Sequence, residues 1–195
     1  MIIGLTGGSG TGKSTITDVF MENGYVVIDP DKIYAQVIAP DSACIREIAE
    51  VFGDEYILPD GCLNRSKMRT LVFSDKEKLE ILNKITHKYV IERMNEEISD
   101  AGEKDVVIDA PLLFSAGLYK MCDKIVCVVS SEKKRIGRIT ARDGIDENSA
   151  LARIKSQMTN EEYIEKSDYV IENNDGLDEL LEKTLSVIES LKGLK

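Results

Sequence analysis

The chain has 195 residues, 43% of them hydrophobic and 31% charged, with a formal net charge of −10. That length favours one compact unit with a well-buried core, and the acidic balance disfavours a protein built to wrap nucleic acid or an anionic membrane, since both reward positive surface. No apolar run approaches the roughly 18–20 residues of a membrane span, and Met1-Ile2-Ile3-Gly4 has neither the basic start nor the cleavage site of a secretory leader, so a cytoplasmic protein is expected.

Cys44, Cys62, Cys122 and Cys127 form no C-x-x-C pair, and Cys127 lies inside the apolar run Ile125–Val129. With a single histidine and no ligand spacing, zinc is not expected; reduced thiols are.

From the N-terminus, Ile2–Leu5 reads as a strand and leads into Gly7-Gly8-Ser9-Gly10-Thr11-Gly12-Lys13-Ser14, a match to G-x-x-x-x-G-K-[ST]. A chance match in such a chain is on the order of one in a hundred, and a strand before the loop with a helix after it lowers that further. Glycines open backbone conformations in which successive amides face phosphate oxygens. Gly8, Gly10, Thr11, Gly12, Lys13, Ser14 and Thr15 are therefore the candidate ATP contacts. Lys13 would neutralise the terminal phosphates, and Ser14 would ligate Mg2+. The helix opens near Lys13 and stops at Asn23-Gly24.

Val26–Asp29 is the second strand. Its end, Asp29-Pro30-Asp31, faces the ligand crevice of an open α/β sheet. A carboxylate there can take the proton of an acceptor hydroxyl, or Asp31 can simply cap the next helix; of the two, Asp31 is favoured as catalytic. About seventy residues then carry helical periodicity and turns such as Pro59-Asp60-Gly61, too long for a plain crossover. They read as a helical substrate-binding insertion over about 31–102.

Asp105–Asp109 is a third strand whose terminal Asp109 has the form of a Walker B carboxylate, a second candidate for Mg2+. Ala110-Pro111-Leu112-Leu113-Phe114 would wall the site. Lys124–Val129 is the fourth strand. A basic helix follows, with Arg135, Arg138 and Arg142 on one face, inside a mobile lid over about 131–167. Arg138 and Arg142 are the preferred groups for closing on the triphosphate, where one arginine can be worth 10³–10⁵ in rate, roughly 4–7 kcal/mol. Asp168–Glu172 is the last strand. Asn173-Asn174 after it would touch the adenine edge or make a turn, and Leu177–Leu191 is an amphipathic helix with an apolar stripe at Leu177, Leu180, Leu181, Leu185, Ile188 and Leu191.

The fold class is thus α/β: a P-loop NTPase-type parallel five-stranded sheet flanked by helices, its core at about 1–30, 103–130 and 168–195. A guanine-reading N-K-x-D is absent, since Asn83-Lys84 is followed by Thr86 two places on. Small-molecule kinases lead, ahead of a non-catalytic ATP-binding regulator.

Several segments resemble the dephospho-CoA kinase family. They include Ile3–Gly8 into the loop, Val27-Ile28-Asp29-Pro30-Asp31, Phe52-Gly53 with Asp60-Gly61-Cys62-Leu63-Asn64-Arg65, and Leu82-Asn83-Lys84-Ile85-Thr86-His87. Asp109–Phe114, Arg142-Asp143-Gly144, Ser156-Gln157 and Ile171-Glu172-Asn173 complete the set. The resemblance implies phosphate transfer from ATP to the ribose 3′-hydroxyl of dephospho-CoA. It gives Asp31 the base role and Lys13 and a lid arginine the charge stabilisation. It places His87 and Leu113 at the acceptor and Asn173 at the nucleotide. Ser115 stands where the family usually has Glu, Lys88 where it has Pro, and Pro30 interrupts the Asp pair. The other kinase readings, nucleoside or shikimate type, leave Phe52–His87 unexplained.

Overall fold

The computed structural model describes residues 1–194. In chain order the elements are β1 (Ile2–Gly7), α1 (Lys13–Glu22), β2 (Val26–Ile28), α2 (Pro30–Val37), α3 (Ala43–Phe52), α4 (Arg65–Ser74) and α5 (Lys76–Asp100). They continue with β3 (Val106–Asp109), β4 (Lys124–Val129), α6 (Glu132–Asp143), α7 (Glu147–Lys155), α8 (Asn160–Glu165), β5 (Tyr169–Glu172) and α9 (Leu177–Lys192). The chain divides into two compact units, one made of residues 1–28 with those from 101 onward, the other of residues 29–100.

The first unit is built on one sheet of five parallel strands in the order β2-β3-β1-β4-β5. A parallel sheet is covered on both faces, which is why its strands read as apolar runs rather than alternations. On one face α1 and α9 bury Ile16, Val19, Phe20, Leu180, Ile188 and Leu191 against Ile3, Leu5, Val107, Val126 and Val128. The stripe on α9 is narrower than expected. Leu177, at the helix start, and Leu185 stay exposed, the latter because, at about 100° per residue, it lies far round from the Leu180–Ile188–Leu191 line. On the other face Tyr163 of α8 packs on Cys127 and Val129. There Leu113 fits over β1 only because residue 4 is glycine: a Cβ would stand 2.7 Å from Leu113 Cδ2 and 2.9 Å from Cys122 Sγ.

The register sets the site. Leu5 lies opposite Asp109 on one side, and Gly7 opposite Val128 on the other. The chain leaving β1 therefore emerges between the carboxyl ends of β3 and β4, the crevice where open α/β sheets bind ligands.

The second unit, α2 to α5, closes on its own core of Ile38, Cys44, Ile45, Ile48, Met68 and Ile85. Ser42 and Asn64 cap α3 and α4 through the amides of Ile45 and Lys67. The Pro59-Asp60-Gly61 turn joins a single bridge between Ile57 and Leu63, with Gly61 at φ +78°. Lys88 runs within an unbroken α5 and pairs with Glu47 of α3 at 2.8 Å, and Tyr89 donates to the same carboxylate at 2.7 Å. Among the described residues no helix is long and apolar enough to cross a membrane, and all four cysteines are free.

Candidate active site

The loop after β1 lines a cavity of about 330 Å³ with Gly7 to Ser14, Pro111, Arg138 and Arg142. Its path needs glycine. Gly10 and Gly12 have φ of +78° and +93°, and a Cβ on Gly7 would meet Val128 O at 2.5 Å. Gly12 precedes α1 without any side-chain cap, and the first turn of α1 holds no acidic residue. The amides of Gly10, Gly12, Lys13 and Ser14 have no protein acceptor among the described residues. A helix start left with orphan donors and a positive dipole end is an anion site. The expected run of inward amides is nonetheless interrupted. Ser9 N donates to Gln157 Oε1 at 2.8 Å, and Thr11 N turns back to Gly8 O.

The carbonyl side of the loop explains why the remaining amides face the cavity. A trans peptide is planar, with its C=O and N–H pointing opposite ways. Arg135 Nε holds Ser9 O at 2.9 Å, which turns the Gly10 N–H away from α6. Asn173 Nδ2 holds Thr11 O at 2.7 Å, which turns the Gly12 N–H away from Asn173. Arg138 Nη1 reaches Gly10 O at 3.1 Å and Ser130 Oγ at 3.2 Å, and its Nη2 binds the Asn173 carbonyl and side-chain oxygens at 3.1 and 3.0 Å. Burial pulls the pKa of both Arg135 and Arg138 down from the guanidinium value, yet an arginine starting that high stays charged.

Lys13 forms an ion pair with Asp109, whose other oxygen accepts from Thr17 Oγ1 at 2.8 Å. Thr17, one turn along α1 from Lys13, is a partner of Asp109 that sequence reading did not single out; its i+4 spacing from the motif lysine was the available signal. Ser14, whose side chain is exposed, and Asp109 offer hard oxygen donors of the kind magnesium takes. No group of three His, Cys, Asp or Glu side chains poised for a metal occurs among the described residues.

Other candidates fall into place unevenly. Arg142 lines the cavity with its side chain 61% exposed and forks onto Asp143 through Nε and Nη2 at 2.7 and 3.0 Å. Arg138 lines it too, with both terminal nitrogens bonded to the loop, Ser130 and Asn173. Asn173, which sequence reading placed at the adenine edge or in a turn, has its amide nitrogen on Thr11 O instead. It lies so close that a Cβ on Gly12 would come within 2.2 Å of it. Leu113, expected at the acceptor, has its side chain fully buried over Gly4, whereas neighbouring Leu112 is 63% exposed. Ser115 Oγ donates to Leu112 O at 3.2 Å within the same turn.

In the second unit Asp29, not Asp31, caps α2, accepting the amides of Asp31 and Lys32 at 3.0 and 3.2 Å. Pro30 takes the first helical position, where a missing N–H costs nothing. Asp31 is exposed, and its carboxylate has no partner among the described residues. His87 is exposed on α5.

A parallel sheet with this loop at the end of its central strand, an uncapped helix start and Asp109 beside Lys13 marks a P-loop protein of the small-kinase type. The fold is shared with shikimate kinase from Bacteroides thetaiotaomicron, at a TM-score of 0.56 and 14% identity over 98% of each chain. The chain belongs to the dephospho-CoA kinase family, whose model matches residues 1–179. Curated dephospho-CoA kinases are similar along its length. That of Fusobacterium nucleatum is 42% identical over 98% of both chains, and that of Carboxydothermus hydrogenoformans 35% identical over 98% of this chain and 94% of its own. A solved structure of dephospho-CoA kinase from Campylobacter jejuni superimposes at a TM-score of 0.70, with 25% identity over 100% of this chain and 98% of that one.

Proposed function

We propose that this protein transfers the γ-phosphate of ATP to the 3′-hydroxyl of dephospho-CoA, yielding CoA and ADP. The observation that carries the reading is the set of unclaimed amides at Gly10, Gly12, Lys13 and Ser14 around one lysine, in a chain of this family. Those donors bind the phosphate chain of ATP. Lys13 exchanges Asp109 for the terminal phosphates, and Arg142, free of the loop's carbonyls, adds charge as it builds on the transferring group. Ser14 and Asp109 would hold Mg2+, which supplies further neutralisation of the phosphate oxygens.

Asp31 serves as the base that accepts the hydroxyl proton, in keeping with a carboxylate that caps nothing. His87 is assigned to the acceptor-binding unit. The test is ADP release measured across acceptors. Dephospho-CoA supports turnover, whereas shikimate and nucleosides give only background. A preference for either of the latter, or no release with dephospho-CoA, rejects the assignment.

A further inference from the structure

We propose that Arg135 and Gln157, which lie outside the phosphate cavity, are positioning residues for the transfer. Together they lock both peptides of Ser9, so that the amide of Gly10 stays aimed at the nucleotide. The inference rests on the nucleotide-site reading of the loop and adds to it the groups that keep the loop in its binding form.

Three hydrogen bonds meet at Ser9, and a fourth joins the two side chains that make them. Gln157 Oε1 accepts Ser9 N at 2.8 Å, and Gln157 Nε2 donates to Ser9 Oγ at 3.1 Å. Arg135 Nε donates to Ser9 O at 2.9 Å, and Arg135 Nη2 ties the two side chains together by donating to Gln157 Oε1 at 3.0 Å. The Gly8–Ser9 peptide is thereby pinned through its N–H and the Ser9–Gly10 peptide through its C=O. Because each unit is planar, neither can rotate without breaking a bond. Gly10, at φ +78°, has no Cβ to resist such a rotation, so restraint has to come from outside the loop.

Arg135 is 3% exposed and forms no ion pair with a carboxylate among the described residues. A buried guanidinium whose hydrogen-bond acceptors are a carbonyl and an amide is a costly stabiliser. Beside an anion it is well placed, since the charge acts through the peptide it holds. The pair lines a separate cavity of about 360 Å³ with Ile154, Met158 and Asn160, and not the phosphate cavity. Arg135 and Gln157 come from α6 and from the turn after α7, so the segment from 131 to 167 grips the loop at two points.

The experiment compares the parent with Arg135→Met, Gln157→Met and the double variant, methionine keeping the length of each side chain. ADP affinity is read by calorimetry, and KM for ATP and for dephospho-CoA by ADP release. Each single change weakens ADP and raises KM for ATP by about tenfold, the value of one charge-assisted hydrogen bond. KM for the acceptor and the melting temperature of the free protein move little. The double variant falls short of the product of the two, because both act on one residue. Arg135→Lys, which keeps one donor toward Ser9 O, recovers part of the loss and replaces Arg135→Met should that variant fail to fold. ADP binding within twofold of the parent in all variants overturns the inference while leaving the nucleotide site standing. So does a loss that only tracks a fall in melting temperature. A parent that binds no ADP overturns both.

Discussion

The carboxylate of Asp29 accepts the backbone amide of Asp31 at 3.0 Å. Two acids separated by one proline are thus assigned different work, one holding the start of α2 and the other left open. Asp29→Ala should cost about 1 kcal/mol of stability, the usual value of an N-cap, with turnover at saturating substrate little changed. Asp31→Asn should leave the melting temperature alone and lower kcat by about 10²–10⁴, the range of a general base. Equal kinetic losses in the two variants would remove Asp31 from the chemistry.

Lys13 pairs with Asp109 and is proposed to meet the phosphates, and one substitution removes both contacts. On the proposed reading Lys13→Ala removes the charge that meets the phosphates and should lower kcat/KM by on the order of 10³ or more. It also leaves Asp109, whose side chain is 13% exposed, with Thr17 as its remaining hydrogen-bond donor. A stability loss of about 1–2 kcal/mol is expected from that. Denaturant melts would show a folded, less stable and inactive protein.

Burial pushes the Cys44 thiol up to about 11 and the Cys122 thiol up to about 12, from 9.0. Both should resist alkylation at pH 8 in the native state and react on unfolding. The folded-state pKa values are raised, so their stabilising contribution is complete below pH 9. It is lost as pH climbs through the window from 9 to about 11 or 12, while the unfolded thiols ionise first. Mass spectrometry after a short iodoacetamide pulse reads this directly.

Hydrogen bonds from Arg142 and Arg153 hold the Asp143 carboxyl at about 2, below its usual 3.8. The sign is opposite to that of the thiols. The pairing is complete above about pH 4 and is lost as pH falls toward 2. The carboxyl resonance of Asp143 should therefore stay flat from pH 8 to 4 and titrate only below. A midpoint near 4 would mean that Arg142 is not held as described.

Much of this was legible from residue order. Five apolar runs became five strands, β1 reaching two residues further than expected and β2 ending one residue earlier, where Asp29 turns to cap α2. The loop matched because its glycines satisfy local backbone needs, and local needs are written locally. Strand order was not legible, since β1 pairs with β3 and β4, more than a hundred residues away. The same holds for side chains whose job depends on a distant partner. Asn173 and Arg138 read as nucleotide contacts, and the hydrogen bonds they make to the carbonyl side of the loop were not legible at all. Leu112 and Leu113 are indistinguishable by type, and only packing over Gly4 shows which one is inside. Arg135 sat on the same helical face as Arg138 and Arg142, and periodicity had no means of telling which of them holds the carbonyls of the loop.

Gly8 lacks the positive φ of Gly7, Gly10 and Gly12, so its φ does not demand glycine. What excludes a side chain is the tip of Arg135, whose Nη2 would lie 2.3 Å from an added Cβ. A side chain at position 8 therefore requires a change at 135, whereas 135 can shorten while 8 stays glycine. An alanine at 8 needs both a shorter residue in place of the arginine and a small shift of Gln157 Oε1, which would lie 3.1 Å from the added Cβ, so variants with alanine at 8 should also carry a change at 135.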